Sequence, residues 1–236
     1  MNPTFCFFHI EKCMGTSLRR MLYDYFKNIY DEETIYIPEN KIITQNLLHS
    51  SDLILFNDKN FNVILCHCAY NKIGVTDFSR NCFSITCIRE PLERFLSHYY
   101  YFMNPTNNLY FYELDDLQTI DAINMCCPHL LCTRLSGDTN NYEDAINNIK
   151  TINCILIMEQ INEDIIYLNN CLHVYTNTNH EMIMIKENVN NIVNNDIKIL
   201  DLKKLEQYIH LFENDLKLYN YVCNMKVEDR FSPFWV

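Results

Sequence analysis

Glycine is nearly missing from this chain of 236 residues. Only Gly15, Gly74 and Gly137 occur, where an average usage of ~7% would supply about 16. That scarcity excludes glycine-rich linkers, collagen-like repeats and dinucleotide fingerprints built on several glycines. Positive charge is scarce too. Lysine and arginine total 19 against 30 acidic residues, for a net charge of -11. A broad nucleic-acid-binding face needs a basic stripe, so nucleic acid is not an expected partner. No apolar run approaches the ~20 residues that cross a bilayer, and we read no signal peptide ahead of Phe5. The expectation is a cytoplasmic protein with no membrane segment.

What the chain does have is core-forming material. Hydrophobic residues make up 48% and charged residues 21%, which excludes a disordered chain and suits one domain, 1–236. Twelve cysteines would permit a disulfide framework in a small secreted protein. A chain this long folds without such staples, so the cysteines read as reduced, buried, small hydrophobes.

Periodicity orders the elements. Thr4 to Ile10 is a short apolar run that predicts a buried strand. Glu11 to Gly15 is a turn, and Leu18, Met21, Leu22, Tyr25 and Phe26 then recur at helical spacing. Asn62 to Cys66 and Cys82 to Ile88 predict two more buried strands. Pro91 opens a helix, where proline suits the first turn. A helix over Asp121 to Leu135, kinked at Pro128, is followed by a short one over Tyr142 to Ile149. A strand over Cys154 to Met158 leads to a helix over Ile161 to Leu172. The polar stretch Asn177 to Asn195 reads as a mobile loop, and Asp201 to Met225 as one long helix. Strands alternating with helices predict an α/β fold with a mainly parallel sheet.

Two segments carry chemistry. The first, FHIEKCMGTSL from Phe8 to Leu18, runs from a strand through a loop into a helix. Free N–H groups at a helix N-terminus favour an anion. Gly15 lets the backbone approach, Lys12 adds a point charge, and Thr16 and Ser17 add hydroxyls. A helix capped by Thr16 after a surface lysine is the alternative reading. The Walker A pattern is absent, because the lysine precedes the glycine. The second segment, CIREPLERFLSHYYYF, places Arg89 at a strand end and Ser97 two turns into the next helix. Ligands of open parallel sheets bind at the carboxyl ends of strands, and both segments end their strands with a cation.

These residues resemble a known family. HIEKCMGTSLRRML resembles the 5′-phosphosulfate loop of sulfotransferases, in the branch of the heparan sulfate 2-O- and 6-O-sulfotransferases. IREPLERFLSHYYYF resembles that branch's 3′-phosphate motif. LLCTRLSGD, from Leu130, resembles a third stretch, and later segments resemble the family's closing helices. Glu11 and the pair Cys13–Met14 depart from the family's loop pattern. The resemblance implies a P-loop NTPase-like central parallel sheet flanked by helices. It also implies transfer of a sulfuryl group from 3′-phosphoadenosine 5′-phosphosulfate to an acceptor hydroxyl, leaving adenosine 3′,5′-bisphosphate.

The implied roles follow residue by residue. Lys12 stabilises charge on the leaving group, and N–H groups from Cys13, Met14, Gly15, Thr16, Ser17 and Leu18 hold the 5′-phosphate. Arg89 and Ser97 hold the 3′-phosphate. The acceptor needs a base. His67, directly after the strand ending at Cys66, matches the branch's histidine, and Glu11 is the second choice. Glu11, Arg134 and Ser136 are candidates for binding the acceptor, a glycan or small molecule. A strongly acidic chain favours a neutral or lightly charged one. No metal is expected. Cys66–His67–Cys68 and Cys126–Cys127–Pro128–His129 with Cys132 lack the paired spacing of structural zinc sites. Tyr99 to Phe102 and Tyr110 to Tyr112 suit either core or a stacking wall. Lys226 and Arg230 read as solvated. A nucleotide-dependent phosphotransferase and a non-catalytic nucleotide-binding module are the alternatives.

Overall fold

The computed structural model describes residues 3–37, 61–66, 82–103, 126–137, 140–184 and 205–232. Its centre is a five-stranded sheet: β1 (Thr4–Phe8), β2 (Ile35–Tyr36), β3 (Val63–Cys66), β4 (Cys82–Ile88) and β5 (Cys154–Ile157), in the order β2-β3-β1-β4-β5. All four pairings are parallel. The helices are α1 (Gly15–Phe26), α2 (Pro91–Met103), α3 (Leu130–Ser136), α4 (Tyr142–Ile149), α5 (Ile161–Thr176), α6 (Glu213–Cys223) and α7 (Val227–Arg230). This is the α/β architecture that the alternating pattern predicts. No helix among the described residues is long and apolar enough to cross a membrane.

Strand residues point to alternate faces, so the apolar runs feed two cores. Phe5, Phe7, Leu65, Phe83, Ile85 and Leu156 face α1 and α5. Cys6, Phe8, Ile64, Ile88 and Ile155 face α3, α4 and α6. Two polar side chains of β4 are buried with partners. Ser84 exchanges hydrogen bonds with Asn153, and Thr86 Oγ1 donates to the Phe8 carbonyl at 2.9 Å. A third, smaller cluster sets Phe95 and Tyr99 of α2 against Cys126, Leu205 and Phe212. Eleven described cysteines are all free thiols, and eight of them are buried.

Four expectations change. The helix placed over 121–135 is a turn at Cys126–His129 followed by α3, with residues 121–125 outside the described set. Cys127, ahead of Pro128, takes φ 47, and a residue before proline is disfavoured in the right-handed helical region, so the helix does not run through this turn. The long C-terminal helix is broken by a 3-10 segment, Ile209–Phe212, ahead of α6. That break lets Phe212 bury its ring 5.3 Å from Phe95 while Ile209 stays exposed. It also lets Asp215 accept the Leu131 and Cys132 N–H groups, capping α3 from another helix.

The first part of the polar stretch from Asn177 is held rather than loose. Met182 is buried and its N–H donates to Asn169 Oδ1 at 3.0 Å, while residues 185–195 lie outside the described set. Finally, Arg230 is buried, not solvated. Its guanidinium binds both oxygens of Asp164, at 2.8 and 3.0 Å, and Asp164 also accepts the Ile157 N–H. Lys226 is exposed as expected.

Candidate functional site

The strand order places the crevice. The chain leaves β1 towards β2 and leaves β4 towards β5, in opposite directions, although β1 and β4 are neighbours. Adjacent strands whose connections diverge open a gap at their carboxyl ends. The loop after Phe8 and the turn after Ile88 both emerge there.

The loop after β1 is tight. His9 N–H donates to the Cys66 carbonyl and Cys13 N–H to the Ile10 carbonyl. Lys12 and Met14 take positive φ, 66° and 60°, a region costly for side-chain-bearing residues. Gly15, by contrast, is not one of the left-handed positions. Its missing Cβ makes room for His9 instead, since a Cβ there would stand 1.4 Å from His9 Cδ2. Helix α1 begins at Gly15 rather than after a Thr16 cap. The ladder starts with Leu18 N–H on the Met14 carbonyl, and Met14 offers no side-chain cap. The amides of Gly15, Thr16 and Ser17 thus stand ahead of the ladder at the positive end of the helix. Ser17 is buried and Thr16 exposed.

Arg89 comes from the other side of the crevice. Its Nη1 donates to the Lys12 carbonyl at 3.5 Å, and its Nη2 lies 3.3 Å from Glu93, whose side chain is largely exposed. Two cations far apart in sequence are therefore brought together. The consequence appears on Lys12: burial first, then the Arg89 charge, pulls its ammonium down to about 8. Lys12 Nζ rests 3.4 Å from the centre of the Tyr101 ring.

One face of α2 completes this side. Arg94, His98 and Tyr101 follow at i, i+4 and i+7, so all three point the same way. Arg94 is fully buried and donates to the carbonyls of Cys126 and Cys127, tying that turn to α2. Its Nε and Nη1 lack partners. His98 Nδ1 lies 3.3 Å from the Cys126 carbonyl. Burial, then the charges of Arg94 and Lys12, holds the His98 imidazolium down to about 4, so the ring is neutral at neutral pH. Ser97 is half-buried on the same helix.

The third family-like segment also arrives. Arg134 Nε donates to Glu11 Oε2 at 3.1 Å, and Nη2 binds the other oxygen. This bidentate pair joins the β1–α1 loop to α3. Ser136 is buried, with its Oγ accepting the Asn141 N–H. Gly137 is left-handed, φ 84°, and closes α3 with its N–H on the Thr133 carbonyl.

The candidate base His67 lies outside the described residues, as do Cys68, Gly74 and Tyr110–Tyr112. Cys66, which precedes His67, pairs with Phe8, so β3 ends at the same edge as the lysine loop. Among the described residues, no group of three or more His, Cys, Asp or Glu could hold a metal ion. Sequence reasoning missed Arg94 and the capping Asp215, and left Tyr101 between core and a stacking wall. The i, i+4, i+7 spacing from Arg94 to Tyr101 was the available signal. Asp215 offered none, because its partners are more than 80 residues away.

Comparison of the chain with models of protein families and with curated proteins gave no match.

Proposed function

We propose that this protein is a sulfotransferase that moves a sulfuryl group from 3′-phosphoadenosine 5′-phosphosulfate to a hydroxyl of a carbohydrate or small-molecule acceptor. The observation that carries this reading is the meeting of Arg89 with the Lys12 backbone at the ends of β1 and β4. The strand order and the loop-to-helix joint also fit a P-loop-like phosphate cradle.

The residues suit a doubly anionic nucleotide. Amides at the start of α1 and the Lys12 ammonium take one anion, with no carboxylate paired to Lys12 among the described residues. The Arg89 guanidinium and the Ser97 hydroxyl take the second. Glu93, exposed to solvent and so only weakly paired, gives way when Arg89 turns to that anion. When bound, the donor supplies the sulfuryl group and a bisphosphate leaving group. Lys12 stabilises negative charge growing on the leaving oxygen, and burial strengthens that effect. His67 takes the acceptor proton in this reading. Glu11 is the weaker base, since both of its oxygens already hold Arg134. Arg134 and Glu11 border the acceptor as a pair.

The test is incubation with sulfur-35-labelled donor and a panel of neutral, lightly charged and sulfated glycans and small phenols. Label transfer, together with a rise in melting temperature with adenosine 3′,5′-bisphosphate but not with ATP, is expected. Equal affinity for nucleotides with and without the 3′-phosphate overturns the donor assignment.

A further inference from the structure

A half-buried lysine beside an arginine has reason to lose its proton. Lys12 has Arg89 against its own carbonyl and, among the described residues, no carboxylate in ion-pair contact. Its ammonium is instead seated on an aromatic face, 3.4 Å from the centre of the Tyr101 ring. At that distance the ring's negative quadrupole attracts the cation, and more strongly where water is reduced. The seat is supplied by the same face of α2 that Arg94 anchors to the Cys126–Cys127 turn.

We propose that Tyr101 is a positioning residue for Lys12, its ring holding the ammonium beside the loop and in its charged form. The use of that charge in sulfuryl transfer rests on the function proposed above; the contact itself does not. A ring suits the task better than a carboxylate. A carboxylate would keep the lysine charged but would repel an incoming anion. The quadrupole carries no net charge, so the ammonium exchanges the ring for an anion without opposing its approach.

The other groups around Lys12 do not substitute for the ring. Arg89 repels it. Cys126 has its thiol pushed up to about 12 by burial and is uncharged at neutral pH. His98 is neutral for the reason given above. Glu11, the preceding residue, is engaged by Arg134. Tyr101 itself is 37% exposed, so truncating it does not open the core.

The experiment reads the ionisation of Lys12 directly in the full chain. Amine labelling with acetic anhydride across pH 6 to 11, followed by mass spectrometry of the Lys12 peptide, is expected to give a midpoint for wild type near 8. Tyr101→Leu and Tyr101→Gln are expected to lower it by roughly one unit, and Tyr101→Phe, which keeps the face, by at most a few tenths. An unchanged midpoint in Tyr101→Leu, or an equal drop in Tyr101→Phe, overturns the proposal. Should one truncated variant fail to fold, the other and the Phe variant still decide it. The same variants assayed for transfer keep the two readings apart. A midpoint shifted in the variants, with no transfer by the wild type, retains Tyr101's role and removes the sulfotransferase assignment. Transfer with an unshifted midpoint does the reverse.

Discussion

The imidazole of His9 occupies the space where a Cβ on Gly15 would stand, 1.4 Å from the ring's Cδ2. Both residues are buried, so neither has room to retreat. The glycine is needed for what it lacks, not for a left-handed turn, which Lys12 and Met14 adopt instead. Gly15→Ala should therefore lower stability by about 1–3 kcal/mol, the range of overpacking in a tight core. His9→Ala in the same chain should return part of that loss. Urea unfolding of the two single variants and the double variant measures the coupling. Additive losses would contradict the collision.

Lys12 makes a pH prediction. Its ammonium titrates at about 8, and the charged form is the one that holds an anion. The rate constant kcat/KM should fall as pH rises through 8, since it reports ionisations of the free protein. Arg89→Gln removes the neighbouring positive charge and should move the midpoint of that fall upwards, whatever it does to the absolute rate. A limb that stays near pH 10 would show that Lys12 is solvated like an ordinary lysine.

Two buried groups oppose each other between pH 4 and 6.5. His98 is held down to about 4, so stability present above its ordinary 6.5 is lost as pH falls. Asp215 is pushed up to about 6 by burial, against the pull of its N–H partners, so stability present below its ordinary 3.8 is lost as pH rises. Each is worth about 3 kcal/mol across its window. These two contributions should largely cancel in the wild type. His98→Gln should lose stability with rising pH, and Asp215→Asn should gain it. Urea midpoints at half-unit steps test both slopes, and parallel profiles would refute the opposition.

Arg230 and Asp164 form a pair with almost no exposure on either side, 4% and 1%. Arg230→Met leaves a buried carboxylate that still holds the Ile157 N–H. The expected cost is about 3–5 kcal/mol. Asp164→Asn with Arg230→Met should be less damaging than Arg230→Met alone. Denaturant unfolding distinguishes these outcomes.

The proposed proton acceptor, His67, yields a kinetic prediction. His67→Ala should reduce turnover by a factor of roughly 10²–10⁴ while binding of adenosine 3′,5′-bisphosphate is retained. Near wild-type turnover would remove His67 from the base role.

Much of this was legible in the chain. Apolar runs bounded by turns marked β1, β3, β4 and β5, because a strand buried on both faces needs nothing else. Helical spacing marked α1, α2, α4 and α5. Arg89 directly after β4 and Lys12 in the loop after β1 marked the carboxyl end of the sheet, where the fold brings the two together. These are local patterns, and local physics is enough to read them.

What the tertiary structure decided is pairing at a distance. Arg230 looked solvated because its partner is 66 residues away. The C-terminal helix looked continuous because the pulls on Phe212 and Asp215 come from α2 and α3. Gly15 looked like a phosphate-loop glycine, and the fold shows which side chain claims its space. Tyr101 read as either core or a stacking wall, and the fold sets Lys12 on its face. A residue's propensity is carried by its neighbours in sequence, but its charge state and the room around it are set by whatever the fold brings against it.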